Sequence, residues 1–250
     1  MKRKQKTQQD IVQREKFVRE AFPQLHPRTE NQKAFFDALK SGTSIVVGAG
    51  SAGAGKTLIA CWHAAKMLHY KSIKKVVLIR AYQPLAGRSI GFLPGELESK
   101  LLPYYQQMLD YFEDVLGKGT VEIHLKNRTI EICSLETIRG RNWDNTIIIV
   151  DESQNLFVPE IQALTTRIGD SSQMVFCGDN SGIQTDVKKG TTDGLSYLRY
   201  IIDKYGIKNT AFVQFVTDDI QRSGVTKDFV IAFQTEQDNE KLEVKQKGQR

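Results

Sequence analysis

The chain has 250 residues, of which 40% are hydrophobic and 26% are charged, the composition of one ordinary globular domain. No apolar run approaches the ~18 residues that span a bilayer, and the polar amino-terminus lacks the apolar core of a signal peptide, so we expect a cytoplasmic protein without a membrane partner. The net charge of +6 lies in the tails, because residues 1–20 carry +4 and residues 241–250 carry +3. The residues between them therefore carry no excess of positive charge that would indicate binding to a polyanion such as nucleic acid.

Strand and helix patterns alternate between these tails. Residues 1–20 are predicted to form a basic arm and residues 236–250 a flexible tail, which assigns a single domain to residues 21–235. We predict strands at 43–47, 74–81, 146–150, 173–178 and 211–216, and helices at 31–40, 57–68, 158–168, 193–203 and 226–234. Residues 95–116 indicate a helix that Pro103 breaks or restarts, and the segments VEIHL and TIEICS indicate a hairpin or two short strands. The alternation predicts an α/β fold with a mostly parallel sheet and helices on both faces.

A glycine-rich loop follows the first predicted strand and precedes a predicted helix. Its sequence, GSAGAGKT at residues 50–57, has the pattern G-x-x-x-x-G-K-T. Small side chains let the backbone N–H groups surround a phosphate, and the helix that follows adds the positive end of its dipole. Lys56 is predicted to contact the β- and γ-phosphates, and Thr57 to bind Mg²⁺. We assign nucleotide contacts to the whole loop: Gly50, Ser51, Ala52, Gly53, Ala54, Gly55, Lys56 and Thr57.

Acidic residues follow two of the apolar strands. In TIIIVDES, Asp151 is predicted to hold Mg²⁺ through water, and Glu152 to orient and deprotonate the attacking water. The alternative for this pair is a solvated strand end. In VFCGD, Asp179 would lie at the same edge of the sheet, where a polar group can sense the γ-phosphate. Together with the loop, these residues predict a nucleoside triphosphatase.

The order of these motifs resembles the PhoH-like proteins. The resemblance covers about residues 28–235 and rests on TENQKAFFDAL, GSAGAGKT, VLIRA, GFLPGELESKLLPY, LETIRGRNWDNTIIIVDESQN, TTRIG, VFCGD and DDIQRSGVTKDFVIAF. Members of that family are P-loop ATPases whose core looks like the first domain of superfamily 1 helicases. The resemblance therefore implies one RecA-like domain, with ATP and Mg²⁺ as cofactors. Compact members are common in bacteriophages, so it also suggests a phage source and the host cytoplasm.

The resemblance also gives roles to single residues. Gln32 matches a glutamine that recognises adenine, and its alternative is an ordinary polar helix residue. Arg222 matches an arginine that touches the γ-phosphate, and its alternative is a surface arginine. The chain departs from the family at Gly182, where a glutamine is usual three residues after Asp179. Either an insertion moves that role to Gln184, which we favour, or the γ-phosphate sensor is altered.

Arg222 raises the question of which subunit it serves. Superfamily 1 helicases take this arginine from a second domain, and the roughly 70 residues after Asp179 are too few for one. Arg222 therefore either folds back onto its own domain or reaches the Lys56 site of a neighbouring subunit. We favour the second arrangement, a homo-oligomer closed into a hexameric ring.

The substrate on which ATP turnover acts is left open. Four arginines beside predicted strands and one tryptophan match segments that hold single-stranded RNA or DNA in helicase-like proteins: Arg80, Arg88, Arg139, Arg141 and Trp143. In the alternative, these arginines pair with Glu96, Glu98 and Glu136, and the tryptophan packs in the core. The first function is thus a nucleic-acid-dependent ATPase resembling an RNA helicase, and the second is an ATPase acting on a protein partner. A slow assembly switch is a third option, against which Glu152 argues.

Overall fold

The computed structural model describes residues 22–81, 97–180 and 193–247. Six strands form one sheet in which all pairings are parallel and the order is β3-β2-β4-β5-β1-β6. The strands are β1 (Ile45–Gly50), β2 (Lys75–Arg80), β3 (Ile130–Ile132), β4 (Thr146–Asp151), β5 (Gln173–Gly178) and β6 (Thr210–Phe215). Seven α-helices lie in these ranges: α1 (Glu30–Lys40), α2 (Lys56–His69), α3 (Leu97–Leu116), α4 (Lys118–Lys126), α5 (Val158–Thr165), α6 (Gly194–Tyr205) and α7 (Val225–Lys247).

The apolar strands are continuous because helices cover both faces of the sheet. In β4, Ile147 and Ile149 belong to the core that packs beneath α1 to α4. Ile148 and Val150, on the opposite face, belong to the core beneath α5 and α6. The alternation of side chains along a strand thus divides one run of isoleucines between two cores. This confirms the predicted α/β fold.

The segment expected to form a hairpin folds differently. Residues 118–126 form α4, and only Ile130–Ile132 form a strand, which pairs parallel to β2. The alternating letters VEIHL suit a strand, but Val121 and Leu125 are one helical turn apart and both pack against the core. Ile123 stays exposed. The hairpin prediction is wrong because tertiary packing selects the helical spacing.

Two further expectations differ from the structure. Helix α3 continues through Pro103, which is exposed, so the break predicted there is absent. Helix α7 runs to Lys247, well beyond the predicted end at residue 234, so most of the expected flexible tail is helical. The sequence of its last turns is rich in Glu, Gln and Lys, which are good helix formers.

The sheet brings three predicted motifs to one edge. Because all the strands are parallel, the carboxyl ends of β1, β4 and β5 lie together, with β5 between the other two. Gly178 at the end of β5 pairs with Ala49 of β1, and Arg80 at the end of β2 pairs with Asp151 of β4.

The three cysteines are buried free thiols, as predicted. Within the described ranges, no helix is both long and apolar enough to cross a membrane.

Candidate functional site

The loop from β1 into α2 has a backbone that only glycine permits at its first position. Gly50 has φ +133°, and a Cβ placed on it would lie 2.0 Å from the carbonyl oxygen of Phe215 in β6. Gly55 has φ +84° and caps α2 in the left-handed conformation, so the helix begins at Lys56. The amino-terminus of α2 therefore opens directly onto the loop, as a phosphate site requires.

Lys56 is held inside the loop. Its Nζ donates to the carbonyl oxygens of Gly50, at 2.7 Å, and Ser51, at 2.8 Å. These bonds use two of the three ammonium hydrogens and leave one for a phosphate oxygen. Burial lowers the pKa of Lys56, and the negative charges of Asp179, Asp151 and Glu152 oppose that shift. The acids at the carboxyl ends of β4 and β5 and the two carbonyl oxygens thus all favour the charged form of Lys56.

Thr57 and Asp151 form the contact that joins the loop to β4. Thr57 Oγ1 donates to Asp151 Oδ1 at 2.7 Å. Burial raises the pKa of Asp151, with a smaller contribution from the nearby Glu152 charge, while Arg80 and the Thr57 hydroxyl lower it. A hydroxyl and a carboxylate are oxygen ligands that suit Mg²⁺, which keeps several of its waters. The described residues contain no cluster of three or more His, Cys, Asp or Glu side chains that would form a fuller metal cage.

Glu152 is fixed in position from both sides. Its backbone is left-handed, with φ +53°, which costs about 1–2 kcal/mol for a residue with a Cβ. Arg80 Nη2 donates to Glu152 Oε1 at 3.1 Å, and Gln154 Nε2 donates to Glu152 Oε2 at 2.7 Å. Gln154 Oε1 in turn accepts from the backbone N–H of Asp179 at 2.9 Å. Gln154 therefore links the ends of β4 and β5.

Arg80 and Gln154 change the assignments made from the sequence. Arg80 was predicted to contact nucleic acid, and in the structure its side chain lies 3.8 Å from Asp151 Oδ2 and donates to Glu152. The strand register places Arg80 opposite Asp151, and this register is not readable from sequence. Gln154 was missed, although its place two residues after Glu152 in DESQN was the available signal.

Arg222 lies beside the loop of its own chain. A Cβ placed on Gly53 would lie 3.0 Å from Arg222 Cδ, and the N–H of Gln221 donates to the Gly53 carbonyl at 3.0 Å. The preceding turn is anchored by buried Asp219, which accepts from Asn31 Nδ2 at 2.8 Å. Within one chain, Arg222 therefore folds back onto its own loop, and its contact with a neighbouring subunit stays a prediction.

The side chains of Gln32 and Ser51 form hydrogen bonds that connect the loop to the segment before α1 and to α7. Gln32 Oε1 accepts from the N–H of Arg28 at 2.7 Å, and Gln32 Nε2 donates to the Ala54 carbonyl at 3.0 Å. One amide hydrogen of Gln32 remains for a base edge. Ser51 Oγ donates to Oε1 of Gln234, in α7, at 2.8 Å.

A cleft of about 340 Å³ lies beside the loop and is lined by Lys56, Asp151 and Glu152, whereas Gln32 and Ser51 lie outside its lining. Its size lies within the range of small-molecule sites. Asp179 and Arg222 line it together with residues of the loop. Four further lining residues were given no role in the sequence analysis: Gln107 and Tyr111 of α3, Cys177 of β5 and Gln221.

Three of the other residues predicted to contact nucleic acid lie in different surroundings in the structure. Trp143 is 4% exposed and belongs to the core beneath α5 and α6, so it cannot stack on a base. Arg141 forms an ion pair with Glu131, a partner not foreseen. Arg139 is exposed. Arg88 and Gln184 lie outside the described residues, so those two predictions stand as they were made.

The fold is the RecA-like α/β fold of P-loop NTPase domains, and the loop at residues 50–57 has the geometry of a phosphate site. The family model described as PhoH-like protein matches residues 24–234, and the chain belongs to that family, as its motifs predicted. It is 34% identical over 209 residues to a PhoH-like protein of Bacillus subtilis (strain 168), covering 84% of this chain and 64% of that protein. It is 32% identical over 209 residues to one of Mycobacterium leprae (strain TN), covering 84% and 58%. The chain thus spans less than two thirds of the length of these relatives.

Solved structures with a similar fold include a helicase and an ATPase core domain. One is the Pif1 helicase from Candida albicans, with a TM-score of 0.37 and 15% identity, covering 77% of this chain and 41% of that one. The other is the Sulfolobus solfataricus SWI2/SNF2 ATPase core domain, with a TM-score of 0.38 and 16% identity, covering 62% and 32%.

Proposed function

We propose that the protein is a Mg²⁺-dependent ATPase. The observation that carries this proposal is the Thr57–Asp151 hydrogen bond of 2.7 Å, which joins the P-loop to the strand that ends in Glu152. Thr57 and Asp151 would hold Mg²⁺, which would supply positive charge to neutralise the phosphates of the nucleotide. The free hydrogen on Lys56 Nζ would bind a phosphate oxygen. The free amide hydrogen of Gln32 would donate to adenine.

Glu152 would accept the proton of the attacking water. Its carboxylate is an acceptor in two hydrogen bonds, from Arg80 and Gln154, which fix its orientation. Arg222, beside Gly53, would neutralise charge that develops on the γ-phosphate. This arrangement supports a complete site within one subunit.

The test is ATP hydrolysis by the purified chain with Lys56→Ala and Glu152→Gln. We expect Lys56→Ala to lose nucleotide binding, and Glu152→Gln to keep binding while turnover falls about 10²–10⁴-fold, the usual contribution of a general base. Lys118→Ala and Glu122→Gln, on the exposed surface of α4, are matched controls and should turn over normally. Normal turnover by Glu152→Gln would exclude its proposed role.

We further propose that a macromolecular partner stimulates turnover. For single-stranded RNA or DNA, the exposed Arg139 is the described residue that supports binding. Hydrolysis should be measured with and without each nucleic acid, and Arg139→Ala should lower any stimulation while the unstimulated rate stays unchanged. Glu136→Ala, which alters an exposed charge nearby, is the control. Absence of stimulation by either nucleic acid would favour a protein partner.

A protein partner, or a second copy of the chain, is supported by an apolar face on α7. Val225, Phe229 and Phe233 follow one another at four-residue spacing and are 67%, 56% and 54% exposed. Apolar side chains of this size on one helix face are typical of protein interfaces. We propose that this face contributes to the predicted hexameric ring.

The oligomer is tested by light scattering of the wild type and of a Phe229→Ser, Phe233→Ser variant. The variant should have a lower mass than the wild type. A Tyr200→Ser, Tyr205→Ser variant removes two exposed aromatic side chains from α6 and should keep the wild-type mass. A wild type that is monomeric at micromolar concentration and hydrolyses ATP fully would exclude the ring.

A further inference from the structure

A second cavity opens at the opposite edge of the sheet from the P-loop. It has a volume of about 620 Å³ and is bounded by the end of α1, the middle of α2 and the amino-terminal ends of β4 and β5. Leu39, Trp62 and Ile147 give it apolar walls. The cavity is therefore large enough, and apolar enough, for a small organic molecule.

The charged side chains that line this cavity are all positive. Lys40 and Lys66 line it, and no Asp or Glu is among the described lining residues. Lys66 Nζ lies 5.0 Å from the centre of the Trp62 ring, so the ammonium is beside an apolar wall. His63 also lines the cavity, and burial lowers its pKa to about 4, with smaller contributions from Lys66 and Lys40. The cavity thus presents two cations and a neutral imidazole.

Gln173 contributes an acceptor that has no donor. The residue is 7% exposed and lines the cavity, and its Nε2 donates to the carbonyls of Leu39, at 3.1 Å, and Thr43, at 2.8 Å. These two bonds fix the amide orientation and identify Oε1 as the acceptor. Within the described ranges, Oε1 of Gln173 is the buried side-chain nitrogen or oxygen atom that lacks a hydrogen-bond partner. A buried acceptor without a donor is unfavourable, and a ligand N–H or O–H group would satisfy it.

We propose that this cavity binds a small organic anion that has a flat apolar body and a hydrogen-bond donor. The apolar walls would contact the body, Lys40 and Lys66 would bind the anionic group, and Gln173 would accept from the donor. The site is separate from the P-loop cleft and does not depend on ATP hydrolysis. Lys56 and Lys66 lie ten residues apart on α2, which places the two sites about 15 Å apart along the helix axis.

The probe for this site is 8-anilinonaphthalene-1-sulfonate, which combines aromatic rings, one sulfonate and one N–H donor. Its fluorescence should rise in a saturable manner on titration of the full chain, and excess ATP with Mg²⁺ should not displace it. A Lys40→Gln, Lys66→Gln variant should bind it about tenfold or more weakly, because both cations are lost. A Lys33→Gln, Lys74→Gln variant removes the same charge from exposed positions that do not line the cavity and should bind it as the wild type does.

Energy transfer from tryptophan gives a second measurement that does not depend on the lysine variants. The chain has two tryptophans, so Trp143→Phe leaves Trp62, which lines the cavity, as the donor. Its emission should be quenched over the same titration, and more strongly than that of the Trp62→Phe variant. The proposal is overturned by non-saturable binding, by displacement with ATP, by equal weakening in both lysine pairs, or by equal quenching of the two tryptophans.

Discussion

His63 should make the stability of the protein depend on pH. Its ring is buried in α2, and its pKa falls from the usual 6.5 to about 4, mainly because burial disfavours the charged form. The unfolded chain therefore binds a proton at a higher pH than the folded chain does. The stabilisation is complete above pH 6.5 and is lost as the pH falls toward 4. Over the whole shift the loss is about 3 kcal/mol, at about 1.4 kcal/mol for each pH unit.

The assay is urea unfolding at about pH 7.5 and about pH 4.5, for the wild type and for His63→Gln. Other groups also titrate in this interval, so the quantity to compare is the change in unfolding free energy between the two pH values. That change should be about 2–3 kcal/mol smaller in His63→Gln than in the wild type. His26→Gln, which removes an exposed histidine, is the matched control. Equal pH dependence in the wild type and His63→Gln would refute the reasoning.

Three further substitutions test the packing and the site. Gly48→Ala would place a methyl group 2.8 Å from the fully buried ring of Phe35, and should lower the unfolding free energy by about 1–3 kcal/mol in urea. A Cβ placed on Gly119, in α4, has no neighbouring atom within 4 Å, so Gly119→Ala should instead raise the unfolding free energy by up to about 1 kcal/mol. The opposite result for either glycine would contradict the packing described. Gln154→Leu removes the donor to Glu152, so ATP hydrolysis should fall while nucleotide binding remains. Unchanged hydrolysis in Gln154→Leu would show that Glu152 does not need this contact.

The parts of the fold that sequence predicted correctly were those with a local cause. The strands β4 and β5 are continuous apolar runs, and the loop at residues 50–57 carries its own pattern of glycines. In VEIHL, however, strand and helix spacing both fit, and the choice depends on whether Val121 and Leu125 reach the core. No local pattern contains that information.

The residues of the candidate site also divide into those marked by a local motif and those whose position depends on distant parts of the chain. Lys56, Thr57 and Asp151 were identified because their motifs are short and fixed in spacing. The role of Arg80 depends on the register between β2 and β4, and that of Arg222 on a turn that returns to Gly53. Both are long-range relations, which neither residue type nor local spacing contains.

The order of strands in the sheet has a consequence for synthesis on the ribosome. Strand β1, which leads into the P-loop, is made first but lies between β5 and β6, which are made last. Until residues 173–215 have emerged, both edges of this apolar strand lack their partners, a state in which strands pair with other chains. The nascent chain therefore carries its phosphate-binding motif long before it can form the site, and we expect a chaperone to be needed most during that interval.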